Sequence, residues 1–314
     1  MSDQPYLPPA LKPGDTIGVF CPAGPARDRQ RLQEGIELIR AMGFTLKLSG
    51  PTECSTGYLA GTDEERAAHL VALWRDPEVK AILAVRGGFG CLRLLDRLDW
   101  SMFRRSPKFL AGFSDVTVLL NTLLHRGELV SIHSPVVTSL GRSDKASATS
   151  LFSLLTGTRM AEEIQPRGLE ILRGGIGTGR LVGGNLTSLV HLLATPWDHT
   201  WEQCILLLED TNEPLYRLDR MLTQLALAGR LERLAGLLLG TFDSGRDDST
   251  GNLRLQEGVW DRVMELAKPG YPIWAGFPVG HRQRNIALPI GMKAVMDSAA
   301  GTLTFLPESV RTFS

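Results

Sequence analysis

Short apolar runs alternate with amphipathic stretches through the first half of the chain. Thr16–Phe20 predicts a strand; Arg31–Met42 carries Leu32, Ile36 and Ile39 at helical spacing and stops at Gly43; Phe44–Leu48 alternates as a strand does. Thr62 followed by Glu65 predicts a capping box, opening a helix that ends near Arg75 ahead of Asp76-Pro77. Ala81–Val85 is wholly apolar and runs into Arg86-Gly87-Gly88-Phe89-Gly90. Phe109–Gly112 predicts another strand, Asp115–His125 a helix, and Leu129–Ile132 a strand again. Such alternation implies a parallel sheet with helices on both faces.

From about Val136 the rhythm gives way to Ser-, Thr- and Gly-rich sequence, through Gly174-Gly175-Ile176-Gly177-Thr178-Gly179, which reads as an interdomain connection with a turn. Beyond it, strands are expected at Cys204–Leu208, Leu237–Phe242, Lys293–Met296 and Thr302–Leu306, and helices at Asn185–Ala194 and Leu215–Ala228. Ser298-Ala299-Ala300-Gly301 suits a hairpin between the last two strands. The expected fold class is α/β. An N-terminal open, mostly parallel sheet with flanking helices fills 1–140, a connection fills 141–176, and a smaller α+β domain rich in antiparallel strands fills 177–314.

Composition narrows the function. A chain of 314 residues can bury a large core without staples, and 43% apolar with 22% charged residues is the profile of a soluble globular protein. Lys plus Arg and Asp plus Glu number 34 each, so nothing marks a nucleic-acid partner or a polybasic membrane signal. Met1–Lys12 lacks the basic start and apolar run of a signal peptide, and no apolar stretch approaches the roughly 18 residues of a membrane span. Cys21, Cys54, Cys91 and Cys204 are scattered, without a C-x-x-C pair, and read as buried, reduced thiols; the six His are equally dispersed. The expectation is a cytoplasmic protein with no metal and no cofactor, acting on a small molecule or peptide.

Two segments could carry chemistry. In Gly112-Phe113-Ser114-Asp115 a serine stands between a strand end and a helix start, where its hydroxyl is thrust out of the sheet and the Asp115 N–H points at a developing oxyanion. Val116 stands where G-x-S-x-G would have its second glycine, and the plainer reading makes Ser114 a helix N-cap. Arg86-Gly87-Gly88-Phe89-Gly90 also lies at a strand's C-terminal end, where open α/β sheets bind ligands, and its glycines let backbone N–H groups face a substrate. It fails as a dinucleotide fingerprint, since Arg93 occupies the third glycine's place. A serine nucleophile needs a base and an orienting acid. His69, His125, His191 and His199 sit on helices or in a polar connection. His133 follows a strand, and His281 lies in the glycine-introduced loop Phe277-Pro278-Val279-Gly280-His281. Glu209 ends the apolar Cys204–Leu208 run, with Asp210 next. Pattern alone does not choose among the histidines.

The chain resembles the LD-carboxypeptidase family, which includes muramoyltetrapeptide carboxypeptidases and microcin C immunity peptidases. The likeness rests on ordered landmarks: Leu11-Lys12-Pro13-Gly14-Asp15-Thr16-Ile17, Ala60-Gly61-Thr62-Asp63-Glu64-Glu65-Arg66, the two segments above, Gly183-Gly184-Asn185-Leu186, Leu208-Glu209-Asp210, Tyr216-Arg217-Leu218-Asp219-Arg220 and Gly280-His281. It implies Ser114 as nucleophile, His281 as base, Glu209 as its orienter, and an oxyanion hole from the backbone N–H groups of Gly88 and Asp115. It further implies removal of a terminal D-alanine from a murein tetrapeptide in cell-wall recycling, by a homodimer. Phe89 replaces the family's usual Tyr and Ala23 a common Ser; Phe89 and Arg86 are candidates for substrate contact. Two alternatives stand beside this reading. One is a microcin-immunity-type hydrolase of peptidyl or aminoacyl nucleotides, for which Trp197 or Trp201 would supply a stacking surface. The other is a catalytically silent ligand-binding protein.

Overall fold

The computed structural model describes residues 4–53, 56–158, 160 and 163–313. The chain separates into two compact units, Met1–Met160 with Gln283–Gly291 and Glu308–Ser314, and Ala161–Arg282 with Met292–Pro307. In chain order the first unit holds β1 (Tyr6–Leu7), β2 (Thr16–Phe20), β3 (Thr45–Leu48), β4 (Val79–Ala84), β5 (Phe109–Gly112) and β6 (Ser131–His133). The second holds β7 (Glu163–Ile164), β8 (Glu170–Arg173), β9 (Ile176–Asn185), β10 (Cys204–Thr211), β11 (Gly236–Asp243) and β12 (Ile273–Ala275). The chain then gives β13 (Leu288–Ile290) to the first unit, β14 (Lys293–Asp297) and β15 (Thr302–Leu306) to the second, and β16 (Arg311–Thr312) to the first.

The first unit's main sheet has the order β13-β6-β5-β4-β2-β3 and is parallel except for β13, which runs antiparallel to β6. Its inner strands are apolar on both faces, with Ile17, Val19, Ile82, Leu83 and Phe109 fully buried, as helix cover on both sides demands. Local chemistry sets the helix starts. Asp28 caps Arg29–Ala41, and Thr62 and Glu65 form the expected capping box, with Thr62 Oγ1 accepting from the Glu65 N–H and Glu65 accepting from the Thr62 N–H. The Asp63–Arg75 helix buries Leu70, Leu73 and Trp74, and the Trp74 ring meets Phe103 edge-on at 4.5 Å. Such a pair adds about 0.5–1.5 kcal/mol beyond its buried area.

The second unit's sheet has the order β7-β15-β14-β9-β10-β11-β12-β8. Its four central strands β9–β12 are parallel, and antiparallel strands extend it on both sides. The β14–β15 pairing across 298–301 is the expected hairpin.

Several segments differ from the sequence reading. The glycine run at 174–179 is mostly β9 rather than a turn. A Cβ at Gly177 would lie 2.0 Å from the Ala235 carbonyl oxygen, and one at Gly179 2.4 Å from that of Gln203, so these glycines serve close approach between backbones. Within 141–176, read as connection, lie the Lys145–Leu155 helix, capped by Asp144, and strands β7 and β8. The Ser249–Leu266 helix was not expected. It buries only Asn252, Val259 and Val263, and Gly251 and Gly258 dilute its periodicity. Cys21, Cys91 and Cys204 are buried free thiols, burial pushing Cys21 up to about 12 and Cys204 to about 11; Cys54 lies outside the described residues. Among the described residues no helix is long and apolar enough to cross a membrane.

Candidate active site

In the first unit, β5 ends at Gly112, Phe113 continues extended, and Ser114 turns to φ +62°, a left-handed conformation uncommon for a residue with a side chain. A 3-10 turn, Ser114–Val116, then leads into the Thr117–Gly127 helix. The turn is held closed by its surroundings. The Val116 N–H donates to the Phe113 carbonyl (3.3 Å), and the Ser134 N–H donates to that of Gly112 (3.0 Å). A Cβ at Gly112 would come within 3.0 Å of Val116 and 3.2 Å of Ala84. The helix N-cap is Val116, with no side-chain bond, so Ser114 does not cap the helix. Strained strand-to-helix turns of this kind hold a hydroxyl proud of the sheet.

The glycine turn after β4 lies against this serine. A Cβ at Gly87 would sit 2.8 Å from Ser114 Cβ and 2.9 Å from its Oγ, with the Asp115 nitrogen at 3.4 Å. Only glycine leaves room for the hydroxyl there. The sequence pattern marks the Gly87-Gly88 pair as freeing backbone N–H groups, with Gly88 as the donor; that Gly87 makes room for the Ser114 hydroxyl is visible only in the fold. Gly88 is exposed at φ +123°, and Phe89 is exposed, tilted against Tyr58 at 6.0 Å. Arg86 is half-buried and donates to the Pro25 carbonyl (3.2 Å); burial, then the neighbouring Arg27 charge, lowers its affinity for a proton. Asp115 is buried and accepts from the Cys91 N–H at 2.8 Å. Burial raises its pKa against the pull of that bond.

The second unit brings Glu209 and His281 together. Strand β10 runs on to Thr211, three residues past the expected end, and its register with β11 shifts between Leu208 and Asp210. The irregularity falls at Glu209, where bulges serve to re-aim side chains. Glu209 is fully buried, and its Oε2 lies 2.8 Å from His281 Nδ1. An ionised carboxylate only accepts, so Nδ1–H donates and the basic lone pair falls on Nε2. Glu209 Oε1 is buried with no hydrogen-bond partner among the described residues.

The loop carrying His281 is fastened to β11. The Thr241 N–H and Oγ1 both donate to the Val279 carbonyl, at 2.9 and 3.1 Å, and the Phe277 N–H donates to that of Leu239 at 3.0 Å. Gly280 has φ +126°, and a Cβ there would lie 2.1 Å from Thr241 Oγ1 and 3.3 Å from Glu209 Oε2. Two further carboxylates, Asp210 and Asp243, act on this histidine electrostatically, and Asp243 has no signal in the sequence pattern. Asp210 accepts from Asn185 Nδ2, the Thr187 N–H and hydroxyl, and the Thr211 N–H. Even so, burial, then the Glu209 charge, raises it to about 6. Asp243 accepts from the Thr211 hydroxyl and the Gly245 N–H, and pairs with Arg282 Nε at 3.3 Å. Burial disfavours a charged His281, but Glu209, Asp210 and Asp243 outweigh it, and its pKa is raised.

His133 and Trp201, two of the other candidates, are both buried. His133 is fully buried in β6, its Nε2 3.2 Å from Asn285 Oδ1 and its ring beside Phe113. Trp201 is buried under Arg230, which stacks over it at 5.8 Å, and so offers no open stacking surface.

Residues 17–134 match the profile of the LD-carboxypeptidase N-terminal domain, and residues 178–296 that of the LD-carboxypeptidase C-terminal domain. The chain belongs to the LD-carboxypeptidase family. This family member is 38% identical to a protein of Bacillus subtilis named as a probable murein peptide carboxypeptidase, over 95% of this chain and 93% of the relative. It is 33% identical to the murein tetrapeptide carboxypeptidase of Pseudomonas aeruginosa, over 95% and 98% of the two chains. The crystal structure of an MccF-like protein from Bacillus anthracis superposes with a TM-score of 0.85 at 25% identity, covering 96% of this chain and 99% of that one. The α/β fold, with its mostly parallel N-terminal sheet and mixed C-terminal sheet, is thus shared with solved relatives.

Proposed function

We propose that the chain is a serine carboxypeptidase that removes the terminal D-alanine from a murein tetrapeptide, with Ser114 as nucleophile, His281 as base and Glu209 as its orienter. The observation that carries this reading is the 2.8 Å hydrogen bond from His281 to the fully buried Glu209, which fixes the tautomer a base needs. The left-handed Ser114 under Gly87 supports the assignment of the nucleophile. The names of the relatives at 33% and 38% identity support a murein peptide as substrate.

In this mechanism His281 Nε2 takes the Ser114 proton as Oγ attacks the carbonyl of the L-centre that precedes D-alanine. The backbone N–H groups of Gly88 and Asp115 hold the oxyanion; each such donor is worth about 10²–10³ in rate. The imidazolium returns the proton to the leaving amine, D-alanine departs, and water activated by the same histidine hydrolyses the acyl-serine. Glu209 offsets the positive charge that His281 carries midway. Arg86 is our candidate for the substrate carboxylate, and Phe89 for the wall beside it. Family likeness supports a homodimer acting in the cytoplasm.

The resemblance to microcin C immunity peptidases supplies the second substrate class, peptidyl or aminoacyl nucleotides. The test assays purified protein against a murein tetrapeptide, the same peptide lacking its D-alanine, and an aminoacyl sulfamoyl adenylate. We expect D-alanine release from the tetrapeptide alone, lost in Ser114→Ala. Turnover of only the adenylate would replace the substrate assignment. Full activity in Ser114→Ala would remove the nucleophile, and absence of fluorophosphonate labelling at Ser114 would favour a silent binding protein.

A further inference from the structure

The segment Ala60-Gly61-Thr62-Asp63-Glu64-Glu65-Arg66 is a family landmark with no part in the chemistry above. Its last residue, Arg66, is completely buried, which a guanidinium tolerates only when its charge and N–H groups are met. Nη2 pairs with Asp63, and Asp63 also receives Arg93 Nε at 3.0 Å. Nη1 donates to two main-chain carbonyls, those of Pro22 and Gly90, the latter at 3.0 Å. The Gly90 carbonyl belongs to the same peptide unit as the Cys91 N–H, which donates to Asp115 Oδ2 at 2.8 Å. One peptide plane is therefore gripped at its oxygen by a buried cation and at its nitrogen by a buried anion. That anion is the residue next to Ser114.

We propose that Arg66 and Asp115 are positioning residues, clamping the Gly90–Cys91 peptide so that the glycine turn holds a fixed register against Ser114. This rests on Ser114 being the nucleophile. The clearances make register matter. Gly87 lies against Ser114 so tightly that a Cβ would come within 2.9 Å of the hydroxyl, and Gly90, at φ +144°, would bring one within 3.0 Å of Arg66 Nη1. A turn this close cannot slide without moving its N–H groups relative to the serine. Stability alone is poorly served by the arrangement. Arg66 Nε is buried with no acceptor among the described residues, and an apolar side chain in the same volume would avoid that desolvation. What a guanidinium adds is direction, through its planar fork reaching two loops at once. Pro22 fixes one of those loops and Gly90 the other.

The experiment labels Ser114 with a fluorophosphonate in wild type, Arg66→Lys, Arg66→Met, Asp115→Asn and Ser114→Ala. It reads both the labelled fraction of folded protein and the second-order labelling rate, alongside kcat and KM for the tetrapeptide. We expect full stoichiometry in folded Arg66→Met and Asp115→Asn, with the labelling rate and kcat down about 10- to 100-fold and KM within about threefold. Arg66→Lys should recover part of the rate, because an ammonium can reach one carbonyl but does not span both. If Arg66→Met does not fold, the Lys and Asn variants decide. A lower labelled fraction with an unchanged rate per labelled site would mean that the residues only support the fold, and would overturn the proposal. So would wild-type rates in the folded variants. Wild-type protein that does not label, or a Ser114→Ala protein that labels equally, would instead overturn the assignment of Ser114.

Discussion

Replacing Gly280 by alanine isolates the geometry that presents His281. The new Cβ would lie 2.1 Å from Thr241 Oγ1, and φ of +126° is a conformation side chains rarely adopt. Backbone strain of that kind costs about 1–3 kcal/mol. The Thr241 hydroxyl must also turn away from the Val279 carbonyl, forfeiting a 3.1 Å hydrogen bond worth about 1 kcal/mol. A stiffer unfolded chain offsets about 0.4–1 kcal/mol. The net loss of stability is therefore about 1–3.5 kcal/mol, confined to the loop that β11 fastens. The effect on catalysis should be larger than this suggests. Relief of the overlap moves His281, its neighbour, off Glu209, and a 1 Å misplacement costs about 10²-fold. Urea denaturation and tetrapeptide kinetics on Gly280→Ala would measure both quantities. Adding Thr241→Ala removes the collision but leaves the strain, so the double variant should regain only part of the stability. Wild-type midpoint and wild-type kcat/KM in Gly280→Ala would show that the loop reaches this geometry without a glycine, and the reasoning would fail.

Four further outcomes are expected. Activity should fall on acidification as His281 gains the proton that disables it as a base; because its pKa is raised, the acid limb should centre above 6.5, the ordinary value. Glu209→Gln removes the strongest attraction on that proton, so the limb should move to lower pH while kcat drops about 10²–10⁴-fold; a limb that stays put would separate Glu209 from the titration. Asp210, raised from 3.8 to about 6, binds more proton folded than unfolded, so its contribution to stability grows by about 3 kcal/mol as pH falls from above 6 to below 4. Denaturation midpoints for wild type and Asp210→Asn across that window should show a slope in the first and a flatter line in the second; parallel curves would contradict the shift. Finally, EDTA should leave the rate unchanged, since the proposed Ser-His-Glu chemistry calls on no metal; a loss restored by zinc would count against it.

Elements whose cause is local could be read from the sequence. β2 and β5 fall where expected because their apolar runs are short, and the Thr62–Glu65 capping box needs only residues three apart. β10 was drawn too short because Glu209 and Asp210 look like a strand's exposed end. They are buried, held by Asn185 at the end of β9, Thr187 just beyond it and His281, partners that no local pattern reveals. Glu209 and His281 are 72 residues apart, and family likeness, not spacing, picked His281 over His133. The roles of Gly87, Arg66 and Asp243 are illegible in sequence for the same reason: they lie in clearances and charges created by folding.

The order in which the strands enter the two units bears on how the protein is made. The first unit's main sheet receives its sixth strand, β13, only from residues 288–290, after the whole of β7–β12 has been spun out, and β16 pairs with β1 later still. During synthesis the first 160 residues therefore emerge with the β6 edge uncovered, a row of main-chain donors and acceptors open to other chains. Cutting the gene at the obvious midpoint would reproduce that nascent state permanently. A half-protein ending near Met160 is expected to be sticky rather than merely inactive, and refolding yield should depend on how soon the far end of the chain arrives to close the edge.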